Sequence, residues 1–383
     1  MKILEARRSI KGDRIWLYAL VKGSTGVHTV SRIVDPEQGE KVLCTCIGYR
    51  THGTCKHIQL MENVLQRKNG LGRWFKMPEI YDIDEYIKME KNIYRSSLKA
   101  LNDLFNNKPY SSDAITLIYG KPKVGKSLLI LQEAIWLQMQ GKNVLIIDTE
   151  GSLRESAEHW VPIFRRRFTG KGKPGKLYVT KILTLEELAK FMGKKITVIT
   201  KGDERKGGKA EFAIIGDTVN RLEEYIGSKR IDVVFVDSIT APIRTAIPSA
   251  QQNNPAKSDA EGFLMGRLML AMDRYDVAVI VTAHASFNPA NPYETGAEIR
   301  GGVAVHHFAK NVIYIDKRDK SGMREYRRLW LVRYGSNKPE WSDVGIVKIT
   351  ELGYVDVDIP VTELLTDSEL KRLGIKIEKK KKR

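Results

Sequence analysis

The amino-acid sequence predicts an α/β protein in which a mainly parallel sheet forms the core of the larger domain and a small β+α module precedes it. From about residue 96 onward, apolar runs of strand length alternate with helical patterns, and this alternation is typical of βαβ units. A glycine-rich segment lies between one such strand and the next helix. All three cysteines lie within the first 55 residues, which predicts a separate metal-binding module there.

These patterns divide the chain into four parts. We expect a zinc-binding module over residues 1–75, a charged connector over 76–95, the α/β domain over 96–365 and a basic tail over 366–383. In the module, residues 14–21, 26–34 and 41–46 have strand character, and a helix is predicted over 58–68.

The glycine-rich segment fits the pattern GxxxxGK(S/T) and consists of Gly120, Lys121, Pro122, Lys123, Val124, Gly125, Lys126 and Ser127. A predicted strand over residues 114–119 precedes it, and a predicted helix over 127–140 follows it. This arrangement presents backbone N–H groups and a helix N-terminus to a polyphosphate. We expect the whole segment to bind ATP, with the Lys126 ammonium on the β- and γ-phosphates and the Ser127 hydroxyl on Mg²⁺. The alternative is a chance loop of glycine and lysine.

Two further apolar strands are followed by acidic residues. The strand over residues 143–148 leads to Glu150, and the strand over 231–236 ends in Asp237. Carboxylates at the carboxyl ends of parallel strands lie where ligands bind in such sheets. We expect Glu150 to orient and polarise the attacking water, and Asp237 to hold Mg²⁺ through water. Another buried strand, over residues 276–282, is followed by His284.

The cysteines and one histidine form the pattern CxCx₈CxH. Cys44, Cys46, Cys55 and His57 offer three thiolates and an imidazole, which is a tetrahedral Zn²⁺ set. Four protein ligands leave no open position, so we expect a structural site. His52 is a rival fourth ligand, and ordinary free thiols are the alternative to a metal site. Three cysteines cannot all pair with one another, which argues against a disulfide framework.

The net charge of +18 for 383 residues favours a polyanionic partner, and nucleic acid is the usual one. A basic but otherwise ordinary surface is the alternative. No apolar run reaches about 18 residues, so we expect no membrane-spanning helix and no membrane partner. The first eight residues have no long apolar core, so we expect no signal peptide and a cytoplasmic location.

The chain from about residue 96 to 360 resembles the RecA/RadA recombinase family of P-loop ATPases, on the motifs GKPKVGKS, IIDTEGSLR, VVFVDSIT, VIVTAH and RGGVAVHHFAKNVIYIDK. The resemblance implies a RecA-like fold, ATP hydrolysis and a role in DNA recombination or repair. It assigns the family's catalytic glutamate to Glu150 and its γ-phosphate-sensing residue to His284. The cysteine pattern resembles the SWIM zinc finger, a module associated with DNA and protein binding.

Three departures from the family pattern point to a recombinase paralogue rather than the main strand-exchange enzyme. The family's adenine-stacking arginine falls on Ala157. His284 stands where recombinases usually have glutamine. The zinc module takes the place of the usual helical N-terminal DNA-binding domain.

The resemblance also implies two DNA-binding loops, over about residues 240–258 and 285–300. The first carries Arg244 and then a polar segment over residues 248–257 that we expect to be flexible, and the second carries Phe287, Tyr293 and Arg300. Phe287 and Tyr293 are candidates for stacking on unpaired bases, or else they anchor the loop.

We predict a hairpin with strands over residues 196–200 and 210–215 and a basic tip between them. The tip either contacts the phosphates of a nucleic acid or is a solvated turn. The basic residues of this tip are Lys201, Arg205, Lys206 and Lys209.

Two functions are consistent with these residues. The first is an ATPase that assembles as a homo-oligomer on single-stranded DNA and acts in recombinational repair. Its cofactors would be ATP, Mg²⁺ and Zn²⁺, and double-stranded or branched DNA are further candidate ligands. The second is an accessory mediator in which ATP is a structural switch and the zinc module recruits a partner such as a RadA-type recombinase. A hexameric helicase of the same fold is a third possibility.

Overall fold

The computed structural model describes residues 2–11, 14–23, 26–35, 39–46, 55–59, 83–88, 91–169, 172–201, 209–248, 251–285, 304–317, 323–335 and 338–375. The chain divides into two compact units, Met1–Met89 and Glu90–Arg383. The four-part division proposed from the sequence stays a prediction. Among the helices of the described ranges, none is both long and apolar enough to cross a membrane.

The first unit contains a four-stranded antiparallel sheet in which each strand pairs with the next along the chain. Its strands are β1 (Lys2–Lys11), β2 (Arg14–Gly23), β3 (Gly26–Asp35) and β4 (Gly39–Cys44). The sequence pattern did not predict β1, because four of its ten residues are Lys or Arg and hide the alternation. Residues 56–59 are helical, and the rest of the predicted helix lies outside the described residues. A short helix, α1 (Ile83–Lys88), lies in the predicted connector.

The second unit is built on a nine-stranded sheet whose central strands are parallel. Its strands are β7 (Ile115–Gly120), β8 (Val144–Asp148), β9 (Leu177–Lys181), β12 (Val233–Asp237), β13 (Ala278–His284), β14 (Ala309–Lys317), β15 (Tyr326–Tyr334), β16 (Asp343–Thr350) and β17 (Gly353–Asp356). Two two-stranded sheets accompany it, formed by β5 (Ile93–Tyr94) with β6 (Tyr110–Ser111) and by β10 (Met192–Lys201) with β11 (Lys209–Asn220).

The strand order of the large sheet is β17-β16-β15-β14-β7-β13-β12-β8-β9. From β14 to β9 every pairing is parallel, and from β14 to β17 every pairing is antiparallel. Every residue of β7, β8, β12 and β13 is buried, as expected of parallel strands covered on both faces. The predicted α/β class with a mainly parallel sheet is therefore confirmed.

Helices cover this sheet and connect its parallel strands. They are α2 (Lys99–Leu104), α3 (Lys126–Met139), α4 (Leu153–Arg167), α5 (Leu185–Phe191), α6 (Arg221–Lys229), α7 (Ala241–Ala246), α8 (Asn254–Tyr275), α9 (Ala304–Phe308), α10 (Val361–Leu364) and α11 (Asp367–Arg372). The helix predicted over residues 127–140 corresponds to α3.

The segment over residues 248–257, predicted to be flexible, is helical from residue 251 onward, so that prediction was wrong for most of its length. The helix α7 precedes it, and a 3₁₀ turn (Gln251–Asn253) and the start of α8 occupy it. Pro242 and Pro255 each lie at the first turn of one of these helices, where a proline costs no hydrogen bond. Pro255 belongs to the segment that was predicted to be flexible, but here it begins a helix.

The predicted hairpin forms, and its strands are longer than predicted. Phe212 of β11 contacts Phe263 of α8, with ring centroids 5.8 Å apart. The backbone N–H of Ala210 donates to Oδ1 of Asn253 at 2.7 Å. The hairpin is thereby fastened to the segment that begins α8, while residues 202–208 lie outside the described residues.

Candidate functional site

The phosphate-loop motif connects β7 to α3 in a conformation that needs glycine at one position. Gly125 has a φ of 105° and is the N-cap of α3. A Cβ atom at this position would lie 2.4 Å from the Tyr354 hydroxyl, so any larger residue would collide as well as be strained. The loop therefore begins the helix with its backbone closely packed against β17.

Lys126 is buried at the start of α3, with 6% of its surface exposed. Its ammonium donates to the carbonyls of Gly120 and Lys121 at 3.0 and 3.1 Å. Burial lowers the pKa of Lys126, and the carboxylates of Asp237 and Glu150 act in the opposite direction. Lys126 therefore lies inside the loop, where the negative charges of Asp237 and Glu150 both act on it.

Asp237 ends β12 directly beside the end of β8. The Thr282 hydroxyl donates to its Oδ1 at 2.5 Å. Burial raises the pKa of Asp237, whereas hydrogen bonds from the Thr282 and Ser127 hydroxyls lower it. The structure thus brings Ser127 and Asp237 together, and a hydroxyl beside a carboxylate is the oxygen pair that Mg²⁺ takes in P-loop proteins.

Glu150 accepts two side-chain hydrogen bonds on Oε1, from the Ser238 hydroxyl at 2.9 Å and from Nε2 of His284 at 2.7 Å. The bond from His284 is the largest of the causes that lower the pKa of Glu150 to about 2. An ionised carboxylate can only accept, so Nε2 of His284 carries the proton. Nδ1 of His284 has no partner within the described part of the chain.

Asp148 positions Glu150, and sequence analysis missed it. Its Oδ1 accepts from the backbone N–H groups of Glu150 and Gly151 at 3.1 and 2.7 Å, and its Oδ2 accepts from that of Leu153 at 3.2 Å. This carboxylate fixes the turn between β8 and α4. An aspartate a few residues before a helix is a recognised capping signal, and this signal could have identified the residue.

Ala157, at the position of the family's adenine-stacking arginine, lies on α4 and is partly buried against the hydrophobic core. Its methyl group contributes to packing and offers no hydrogen bond. The residue therefore takes part in the packing of α4.

The four predicted zinc ligands lie together in the first unit. The sulfur atoms of Cys44, Cys46 and Cys55 and a ring nitrogen of His57 all lie within 4.8 Å of one another. Burial raises the pKa of the Cys44 thiol to about 12, which disfavours the thiolate form. A bound cation would reverse this effect by stabilising the thiolate. The donor set and its spacing fit Zn²⁺. His52, the rival ligand, lies outside the described residues.

The predicted DNA-contacting residues are only partly described. Arg244 is exposed on α7, and Lys209 is exposed at the start of β11, 3.9 Å from a carboxylate oxygen of Glu211. Lys201 ends β10. The remaining predicted residues lie outside the described residues: Arg205, Lys206, Phe287, Tyr293 and Arg300.

Comparisons with known proteins found a family model and several relatives that match this chain. Residues 112–292 match a family model described as an AAA domain. The chain is 26% identical over 229 residues to "DNA repair and recombination protein RadB" of Methanoculleus marisnigri, a match spanning 59% of this chain and 82% of that protein. It is 25% identical over 261 residues to the protein of the same description from Methanococcoides burtonii, spanning 66% of this chain and 94% of that one.

A solved structure described as "Crystal structure of the RadB recombinase" also matches this chain. The TM-score is 0.47 at 21% sequence identity, and the match covers 68% of this chain and 98% of that one.

Proposed function

We propose that this chain is a DNA-dependent ATPase that binds single-stranded DNA and acts in recombination or repair. The chain carries a P-loop domain of the ATPase type and is a relative of the RadB paralogues of the RecA/RadA recombinases. One observation supports the ATPase proposal most strongly. Lys126, Ser127, Asp237, Glu150 and His284 converge at the carboxyl edge of one sheet. The recombination role rests on the descriptions of the relatives.

In the proposed mechanism the residues of the phosphate loop cradle the phosphates of ATP with their backbone N–H groups. Lys126 would turn from the loop carbonyls to the β- and γ-phosphates, and Ser127 with Asp237 would hold Mg²⁺. When bound, Mg²⁺ neutralises charge on these phosphates. Glu150, kept ionised by the bonds from Ser238 and His284, orients the attacking water.

A second candidate function is an accessory mediator with slow ATP turnover. A carboxylate whose pKa is about 2 is a weak base, because it holds a proton poorly at neutral pH. The same hydrogen bonds that orient Glu150 would then limit hydrolysis, and ATP would act as a switch. In this role the zinc module recruits a RadA-type recombinase or another protein partner.

The experiment that separates the two is ATP turnover with and without single-stranded DNA. We expect the DNA to stimulate turnover, and we expect the stimulated component to fall when salt rises from about 50 to 200 mM, because phosphate contacts release counterions. Basal turnover should change far less. Lys126→Ala is the control, since it removes the charge-assisted phosphate contact. Turnover that DNA does not change would favour the accessory function.

A second prediction concerns the residue that holds Glu150. His284→Gln restores the residue usual in recombinases, and its amide can still donate to Oε1 of Glu150. We expect it to keep turnover within about threefold, whereas His284→Ala should lose about tenfold or more, because a misoriented base costs rate steeply. The measurement is turnover at saturating ATP. Equal rates for the two variants would contradict an orienting role.

A further inference from the structure

Two side chains from the last strands of the sheet hold one carbonyl of the phosphate loop. Nε of Arg327, on β15, donates to the carbonyl of Val124 at 2.7 Å, and the Tyr354 hydroxyl, on β17, donates to the same oxygen at 3.3 Å. All three residues are buried. Neither Arg327 nor Tyr354 belongs to any motif that the sequence analysis identified.

This contact sets the direction of the next backbone N–H group. In a trans peptide the carbonyl and the N–H point in opposite directions. Because the Val124 carbonyl is directed at Arg327 and Tyr354, the N–H of Gly125 is directed away from β15 and β17. The N–H groups of such a loop are the ones that bind phosphate oxygens. The contact therefore orients the N–H group of Gly125, which is one of the proposed hydrogen-bond donors to phosphate.

The fit between Tyr354 and the loop is tight. A Cβ at residue 125 would come within 2.4 Å of the Tyr354 hydroxyl and 3.0 Å of a methyl carbon of Ile349. The Val124–Gly125 peptide thus lies between the phosphate side of the loop and the side chains of the last strands, and it has little freedom to rotate. A preorganised donor loses less entropy when it binds.

Arg327 also brings a buried charge to this position. The residue is 8% exposed, and the other hydrogen bonds of its guanidinium go to the carbonyls of Arg324 and Tyr326 at 2.6 and 3.0 Å. Within the described residues it has no carboxylate within 4.0 Å.

The adjacent residue on the same strand shows the ordinary arrangement of a buried arginine. Arg328 pairs with Asp316 at 2.6 Å and with Glu369 at 2.9 Å. A buried cation without a counter-charge is costly unless a ligand supplies the negative charge. The polyphosphate proposed to bind at the phosphate loop is such an anion.

We propose that Arg327 and Tyr354 are positioning residues for nucleotide binding, which orient the Gly125 N–H and place a positive charge behind the phosphate loop. This inference rests on the proposed binding of ATP. It concerns the α- and β-phosphates that the loop cradles, so it applies equally to ATP and ADP.

The test is the dissociation constant of the full chain for MgATP and for MgADP, measured for wild type and four variants. Arg327→Met removes the charge and the donor, Tyr354→Phe removes only the hydroxyl, and Arg327→Lys keeps the charge. The matched control is Lys348→Met, which removes a positive charge from β16 where Lys348 pairs with Glu325 at the surface. Thermal unfolding without nucleotide is recorded for each, so that a loss of fold is seen separately.

We expect Arg327→Met to weaken both nucleotides by about tenfold, Tyr354→Phe by about threefold, and Arg327→Lys by an intermediate factor, with the control unchanged. At saturating ATP, kcat should stay within about twofold, because the γ-phosphate chemistry is untouched. Equal dissociation constants for wild type and folded Arg327→Met, or an equal loss in Lys348→Met, would overturn this inference and leave the proposed function standing. Wild-type protein that binds neither nucleotide would overturn both.

Discussion

Replacement of Glu150 by glutamine should lower ATP turnover by about 10²- to 10⁴-fold and leave nucleotide binding intact, because this range is what a positioned acid or base contributes. The substitution is nearly isosteric. The amide oxygen can still accept from the Ser238 hydroxyl and from Nε2 of His284, so the local structure should persist. What is lost is the negative charge that polarises the attacking water.

Turnover and ATP affinity, measured side by side, check this result. Glu158→Gln is the matched control, because Glu158 is an exposed acid on α4 that pairs with Arg154. Lys126→Ala should instead weaken binding itself. A Glu150→Gln protein that hydrolyses ATP at the wild-type rate would show that another group orients the water.

The pH dependence of wild-type turnover gives an independent check. The pKa of Glu150 lies at about 2, below the ordinary value of about 4.3. The carboxylate is therefore ionised at every pH above about 4.3, and its contribution to native stability is complete there and is lost as the pH falls towards 2. We expect no acid limb from Glu150 above about pH 5. If wild-type turnover shows an acid limb above about pH 5 that disappears in Glu150→Gln, the lowered pKa of Glu150 is contradicted.

Substitution of Cys55 by serine should abolish zinc binding and unfold the first unit. Wild-type protein should carry about one tightly held zinc per chain, and the variant none, because serine is a poor ligand for zinc. A unit of about 90 residues buries a smaller share of its surface on folding than a large domain does. Zinc binding is therefore expected to supply much of its folding free energy.

Metal analysis and limited proteolysis measure the two parts of this prediction. In Cys55→Ser we expect rapid cleavage within residues 1–75, while the second unit still binds nucleotide. His57→Ala should behave like Cys55→Ser, whereas His52→Ala should keep its zinc. Zinc retained by His57→Ala but lost by His52→Ala would make His52 the fourth ligand. A metal-free wild type with a protease-resistant first unit would contradict a structural metal.

The sequence predicted those parts of the fold whose signals are local. The strands β7, β8 and β12 are continuous apolar runs, and the zinc ligands keep a short fixed spacing, so each could be recognised within about a dozen residues. The strand β1 was hidden by its charges, and the segment over residues 248–257 was predicted to be flexible although most of it is helical.

Contacts between distant parts of the chain could not be predicted in this way. Arg327 lies 203 residues after Val124, and only the pairing of strands in the finished sheet brings the two together. The same is true of His284 and Glu150, whose contact spans 134 residues. The family resemblance supplied a role for His284, but the hydrogen bond that sets the pKa of Glu150 depends on the three-dimensional fold.

The position of β7 within the sheet has a consequence for how the protein is made. Its two neighbours are β13 and β14, which begin at Ala278 and Ala309, so the strand leading into the phosphate loop has no sheet partner while it leaves the ribosome. Pairing must wait for more than a hundred further residues, and long-range pairing of this kind is slow. We therefore expect the proposed ATP binding only after β13 and β14 have been made, late in synthesis.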